Sequence, residues 1–131
     1  MYENASGNKI VHKELSYAII GAIFEVYNEL GYGFKERYYE DAIAKEFERK
    51  SIKYKRQMAF DLKYKGDAIG KYRFDFLVED IIIVELKTGN FYSKQNITQA
   101  VQYLKAANLE LALLVNMTQH GVKYRRILNI R

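Results

Sequence analysis

The segment Ile81–Leu86 places the strongest constraint on the fold, because it is mostly apolar on both faces of the strand that it could form. A strand of this kind has to be covered by other elements on both sides, so we expect it at the centre of a sheet. It is predicted to run from Ile81 to Lys87, after a strand at Tyr72–Val78 and a tight turn at Glu79 and Asp80.

The segments around these two strands predict an α/β order. Apolar residues recur at intervals of three and four over Leu15–Leu30 and again from about Glu36 to Lys50, which indicates two helices. The other predicted segments are a strand, a helix and two strands, the last at a sheet edge: Gln57–Tyr64, Lys94–Asn108, Leu111–Asn116 and Lys123–Ile130. We therefore expect a central mixed β-sheet flanked by helices.

The length of 131 residues fits one domain, predicted as an N-terminal arm over 1–14 and a single domain over 15–131. With 49% hydrophobic residues, the chain can form a substantial core. The absence of cysteine excludes disulfides, thiolate zinc sites and a cysteine nucleophile. No signal peptide or membrane span is expected, and we predict a cytoplasmic location.

The net charge of +5 favours polyanionic partners such as nucleic acid. Three segments mix cations with tyrosine: Lys53–Arg56, Lys71–Arg73 and Lys123–Arg126. They could contact phosphates and stack on bases, or they could be the solvated ends of strands.

Two acids interrupt apolar strands. Asp75 lies between two phenylalanines, and Glu85 lies near the end of the most apolar strand. Burial of a lone carboxylate costs free energy unless it is paired or bound to a metal. A hairpin would place Asp75 beside Glu85, and two adjacent carboxylates repel each other unless a cation lies between them.

Mg²⁺ is the predicted cation, with Mn²⁺ as a substitute, because it prefers oxygen ligands. The backbone carbonyl of Leu86 could add a ligand, and Lys87 shares the face of Glu85. Lys87 could orient or deprotonate an attacking water, or stabilise charge on a phosphate. The alternative is ordinary ion pairing of Glu85 with Lys87 and of Asp75 with Arg73.

A helix contributes a further candidate acid. Glu36 precedes Tyr39 by three residues and Ile43 by seven, so we expect it on the inward helix face. The alternative is a first-turn acid that complements the helix dipole.

Gln99 and Tyr103 share a face of the third predicted helix and are candidates for substrate binding, although they could also form a solvated flank. Tyr39 and Lys94, the latter at the end of the loop after Lys87, are assigned to the same role.

Three motifs carry a family resemblance. Asp75 with Glu85–Lys87 resembles the Asp…Glu-x-Lys core of the PD-(D/E)XK nuclease superfamily. Gly33–Tyr39 resembles the Gly-x-x-Glu-x-x-Tyr signature of its GxxExxY family, and Gln99–Tyr103 is similar to the Gln-x-x-x-Tyr element of RecB-type nucleases. The proline that often precedes the first acid is replaced by Phe74.

This resemblance implies a restriction-endonuclease-like core, in which Asp75 and Glu85 are metal ligands, Lys87 is the catalytic lysine and Glu36 is an additional acid. The expected function is Mg²⁺-dependent hydrolysis of phosphodiester bonds in DNA, and a homodimer is plausible for so small a nuclease. The alternative is a non-catalytic nucleic-acid-binding or interaction module that retains the nuclease fold.

Overall fold

The structure is a computed structural model that describes residues 11–90 and 93–129. Within these ranges the chain forms three helices and five strands: α1 (Lys13–Leu30), α2 (Glu36–Arg49), β1 (Tyr54–Tyr64), β2 (Asp67–Val78), β3 (Ile82–Thr88), α3 (Lys94–Ala107), β4 (Leu111–Thr118) and β5 (Gly121–Leu128). The predicted α/β class with flanking helices is confirmed.

The strands form one mixed sheet in the order β1-β2-β3-β4-β5. Strands β3 and β4 are parallel and are joined by α3, whereas the other neighbouring pairs are antiparallel. All residues of β4 are buried, as are the first five of β3. The predicted central position of β3 is thus confirmed, and β5 lies at an edge as expected.

Helices cover the sheet on both faces. Helices α1 and α2 pack on one face through a core that includes Ile23, Ile43 and Phe47. Helix α3 packs on the other face, where Tyr103 and Leu104 belong to a second core. This layering buries both sides of β3, as its apolar sequence requires.

The β1–β2 hairpin extends further than the sequence predicts. Strand β1 begins at Tyr54 instead of Gln57, and β2 begins at Asp67 instead of Tyr72. Residues 67–71 are exposed, although Asp67, Ala68, Gly70 and Lys71 pair with β1. The β2 part of this extension relies on backbone pairing, so it leaves no burial pattern in the sequence.

The predicted tight turn between β2 and β3 is confirmed. Glu79 and Asp80 have φ values of 53° and 58°, and the Ile81 amide donates to the Val78 carbonyl at 2.9 Å. Two successive left-handed residues suit the twist of a two-residue hairpin. The turn sets the register in which Phe76 pairs with Val84. Asp75 and Glu85 are the next residues away from the turn, one on each strand.

Helix α1 begins at Lys13, two residues before the predicted start. The first ten residues of the predicted arm, and Ile130 of the last predicted strand, lie outside the described residues. The division at residue 14 therefore stays a prediction. No helix in the described ranges is long and apolar enough to cross a membrane.

We expect Phe47→Ala to lower the free energy of unfolding by about 3–5 kcal/mol, because deletion of a buried ring leaves a cavity. Phe47 is fully buried, and its ring lies 5.4 Å from that of Phe76 and 5.7 Å from that of Tyr54. The measurement is urea denaturation. Phe24→Ala is the matched control, because Phe24 is 39% exposed. Equal losses in the two variants would contradict the packing of α2 described above.

Candidate functional site

Where strands β2 and β3 separate, two side-chain carboxylates accept hydrogen bonds from backbone amides in place of backbone carbonyls. The antiparallel pairing between these strands ends at Phe76 and Val84. One residue further, the Asp75 amide donates to Glu85 Oε1 at 3.0 Å, and the Leu86 amide donates to Asp75 Oδ2 at 2.8 Å. Each carboxylate therefore binds a backbone amide on or beside the other acid.

The backbone of β2 turns at Asp75. Phe74 packs in the α3 core, whereas Phe76 packs in the core of α1 and α2. Residues two apart in a regular strand share a face, so the strand must rotate between these two phenylalanines. This rotation accounts for the contact of the Asp75 carboxylate with the neighbouring strand β3.

The two acids are not surface ion pairs. Glu85 is 6% exposed, and Asp75 is partly buried. Among the described residues, no ion pair joins Lys87 to Glu85 or Arg73 to Asp75. Arg73 donates instead to the Gln57 carbonyl at 3.0 Å. The ion-pairing alternative is therefore wrong for this site.

Burial is the largest cause that shifts the pKa of both acids upward. Burial, followed by the charge of Asp75, raises the pKa of Glu85 to about 8. Burial also raises the pKa of Asp75, although the Leu86 amide opposes this shift. An acid with a raised pKa is stabilised by a proton or by a nearby cation.

Lys87 lies half-buried on the strand that carries Glu85. Its charge acts to lower the pKa of Asp75, Glu85 and Glu36, so it lies close enough to influence all three acids. Its neighbour on β4 is Asn116, whose buried side-chain amide donates to the Gly89 carbonyl. This hydrogen bond holds Gly89, which follows β3, close to β4 and to Lys87.

Helix α2 brings two acids to the site. Glu36 is the first residue of α2 and is exposed, whereas Tyr39 and Ile43, with which it was predicted to share the inward face, are buried. Partial burial of its carboxyl group and the charge of Asp75 nevertheless raise its pKa. Glu40, one turn later, is buried and adds to the raised pKa of Asp75.

Two polar residues at the site, Glu40 and Gln57, were not among the predicted site residues. Glu40 accepts hydrogen bonds from Arg56 Nε and Gln57 Nε2, both at 3.1 Å. Gln57 Nε2 also lies 3.3 Å from Asp75 Oδ1. The four-residue spacing from Glu36 could have indicated Glu40, because such residues share a helix face. No sequence signal identifies Gln57.

The predicted substrate contact of Tyr39 is wrong. Its side chain is fully buried, and its hydroxyl donates to the Gly31 carbonyl at 2.6 Å and accepts from the Phe34 amide at 3.3 Å. Tyr39 therefore closes the corner between α1 and α2, where it cannot meet a ligand.

The other predicted substrate residues lie on α3. The Tyr103 ring packs 5.0 Å from Phe74, and burial followed by the charge of Glu85 raises the pKa of Tyr103 to about 12. Because the charge of Glu85 affects its pKa, the Tyr103 hydroxyl lies near the acids. Gln99 lies one turn earlier and is partly buried, whereas Lys94 is exposed at the first residue of α3. Their contact with substrate stays a prediction.

The donor set of Asp75 and Glu85 fits a divalent cation, since both side chains are carboxylates, they lie close together, and burial raises the pKa of each. Mg²⁺ commonly binds one or two carboxylates and completes its shell with water and phosphate oxygens. Residues 11–90 and 93–129 contain no group of three acidic or histidine side chains arranged to hold a metal by themselves.

Known proteins resemble the chain at the level of its family. The sequence model of the PD-(D/E)XK nuclease superfamily matches residues 13–127. No protein of curated function matches the chain. A solved structure described as "Crystal structure of SSO0001" shares 15% identity at a TM-score of 0.48, over 89% of this chain and 78% of that chain. The superfamily match spans all helices and strands described above except the last residue of β5, and the chain belongs to the PD-(D/E)XK nuclease superfamily.

Proposed function

We propose that this protein hydrolyses phosphodiester bonds of DNA with a divalent cation, Mg²⁺ or Mn²⁺, at Asp75 and Glu85. The observation that carries the proposal is the reciprocal bonding of buried Glu85 and partly buried Asp75 to backbone amides, with a half-buried lysine beside them. Membership in a superfamily composed largely of nucleases supports the reaction class.

The acids and the lysine have separate roles in this proposal. Asp75 and Glu85 hold the cation, together with the Leu86 carbonyl, and Glu36 adds negative charge at the edge of the site. When bound, the cation supplies positive charge that polarises a phosphoryl oxygen. Lys87 orients the attacking water and stabilises charge that develops on the phosphate.

Only some of the basic residues are available to contact nucleic acid in this proposal. Ion pairs or hydrogen bonds within the fold engage four cations of the basic segments: Lys55, Arg56, Arg73 and Arg126. Lys71, Lys123 and Arg125 are exposed and are better suited to contact phosphates. Gln99, Tyr103 and Lys94 complete the proposed substrate surface nearer the acids.

The finer assignments belong to the same proposal. The Gly33–Tyr39 motif supports the GxxExxY branch, and the Gln99–Tyr103 motif supports a RecB-like relationship. We place the protein in the cytoplasm as a homodimer, since one small domain offers little surface for a duplex.

We expect Lys87→Met to lower the rate of DNA cleavage by about 100-fold or more, which is typical for loss of one group that stabilises developing charge. The melting temperature should hardly change, because Lys87 forms no ion pair with either acid. The assay uses supercoiled, linear, branched and single-stranded DNA with Mg²⁺ or Mn²⁺. Lys45→Met, on the exposed part of α2, is the matched control and should cut normally.

Equal cleavage by wild type and the Lys87→Met variant would show that this site is not catalytic. Salt-sensitive DNA binding without any cleavage by wild type would instead favour the non-catalytic module. That alternative has a specific observation behind it, because the hydrogen bonds of Asp75 and Glu85 also have a structural role.

We expect the free energy of unfolding, measured in EDTA, to fall as pH rises from about 5 to about 8. Glu85 should contribute a decrease of about 1.4 kcal/mol per pH unit in this range. Folded Glu85 has a pKa of about 8, against an ordinary value of 4.5. In this window the folded state retains a proton that the unfolded state releases, so higher pH favours unfolding.

Glu85→Gln should remove this contribution, because glutamine retains the acceptor oxygen for the Asp75 amide but cannot ionise. Glu29→Gln is the control, because Glu29 is exposed on α1. Identical slopes of stability against pH in wild type and the Glu85→Gln variant would contradict the raised pKa. Urea denaturation over a pH series provides the measurement.

A further inference from the structure

Gln57 has an unusual backbone conformation for a residue inside a strand. Its φ is 53°, in the left-handed region that residues other than glycine seldom adopt. Such conformations persist only where the surroundings enforce them, and they are often found at functional sites. The neighbouring pairs, Arg56 with Phe76 and Met58 with Phe74, place Gln57 across from Asp75.

The side chain of Gln57 joins two acids from different elements. Its Nε2 donates to Glu40 of α2, at 3.1 Å from Oε1 and 3.3 Å from Oε2, and it lies 3.3 Å from Oδ1 of Asp75. The backbone carbonyl of Gln57 accepts a hydrogen bond from Arg73 Nη1 at 3.0 Å, which links β1 to β2 at this residue.

These bonds offset a repulsion within the site. Glu40 and Asp75 are both acids, and the charge of Glu40 raises the pKa of Asp75. A primary amide carries two hydrogens, so Gln57 can donate one to each carboxylate. On its other side, Glu40 accepts from Arg56 Nε at 3.1 Å.

The contact also fixes the orientation of Asp75. The Leu86 amide binds Oδ2, and Gln57 binds Oδ1, so both oxygens of the carboxylate are held from opposite directions. Hydrogen bonds of this type to metal ligands typically contribute 10-fold to 100-fold, in order of magnitude, to metal affinity.

We propose that Gln57 is a positioning residue of the metal site, which clamps Asp75 to Glu40 and so presents a preset carboxylate to the divalent cation. This inference rests on the proposed function, because it assigns Gln57 to the same site. The left-handed backbone conformation of Gln57 places its side-chain amide between α2 and β2.

The first test measures binding of Mn²⁺ alone by isothermal titration calorimetry. Gln57→Leu and Gln57→Gly should each raise the Kd for Mn²⁺ by about 10-fold or more. The Gln57→Gly variant separates positioning from folding, because glycine adopts a positive φ without strain and so offsets part of the stability lost with the side-chain hydrogen bonds. Gln119→Leu, in the exposed β4–β5 turn, is the matched control and should bind like wild type.

Unchanged affinity in both Gln57 variants, with binding abolished by Asp75→Ala, would overturn the role of Gln57 and leave the proposed function intact. If wild type takes up no Mn²⁺, the proposed function fails, and the role of Gln57 toward the cation fails with it.

A second test needs no metal. In EDTA, the side-chain amide resonances of Gln57 in a ¹H–¹⁵N spectrum should shift on Glu40→Gln, whereas those of Gln119 should not. A Gln57 amide that does not respond to Glu40→Gln would show that the clamp does not form in solution, whatever the protein does with metal or DNA.

Discussion

The two hydrogen bonds between the acids and the backbone amides of Asp75 and Leu86 are the contacts on which the sheet and the site both depend. Beyond Phe76 and Val84 the strands part, and a buried amide without a partner would cost free energy there. The carboxylates supply those partners. Their positions are therefore fixed by the same bonds that complete the edge of the β2–β3 pairing.

Negative charge accumulates around this point, and the protein compensates only part of it. Arg56 and Gln57 bind Glu40, whereas Lys87 acts on the other acids through space. The pKa of Glu85 stays near 8 because burial and the charge of Asp75 outweigh the Asp75 backbone amide and Lys87, which both lower it. Under the proposed function, a proton and a divalent cation would therefore compete for the same carboxylate.

Local patterns in the sequence predict β3, the tight turn and the proximity of Asp75 to Glu85, because each follows from burial on both faces or from a short connection. The contribution of Gln57 could not be predicted, since it depends on a left-handed backbone and on how α2 packs over β1. Tyr39 shows a further limit. An inward tyrosine can bind a ligand or lie in the core, and only the fold reveals that the Gly31 carbonyl is its partner.

The rotation of β2 at Asp75 has a consequence for reading related sequences. A chain of this fold that lost its chemistry would still need acceptors for the two amides at the strand ends, so acids could persist there for structural reasons alone. Among the described residues, the side chain of Lys87 forms no ion pair with those acids. If the proposed function holds, the lysine is thus the residue whose replacement would distinguish an inactive relative from an active one.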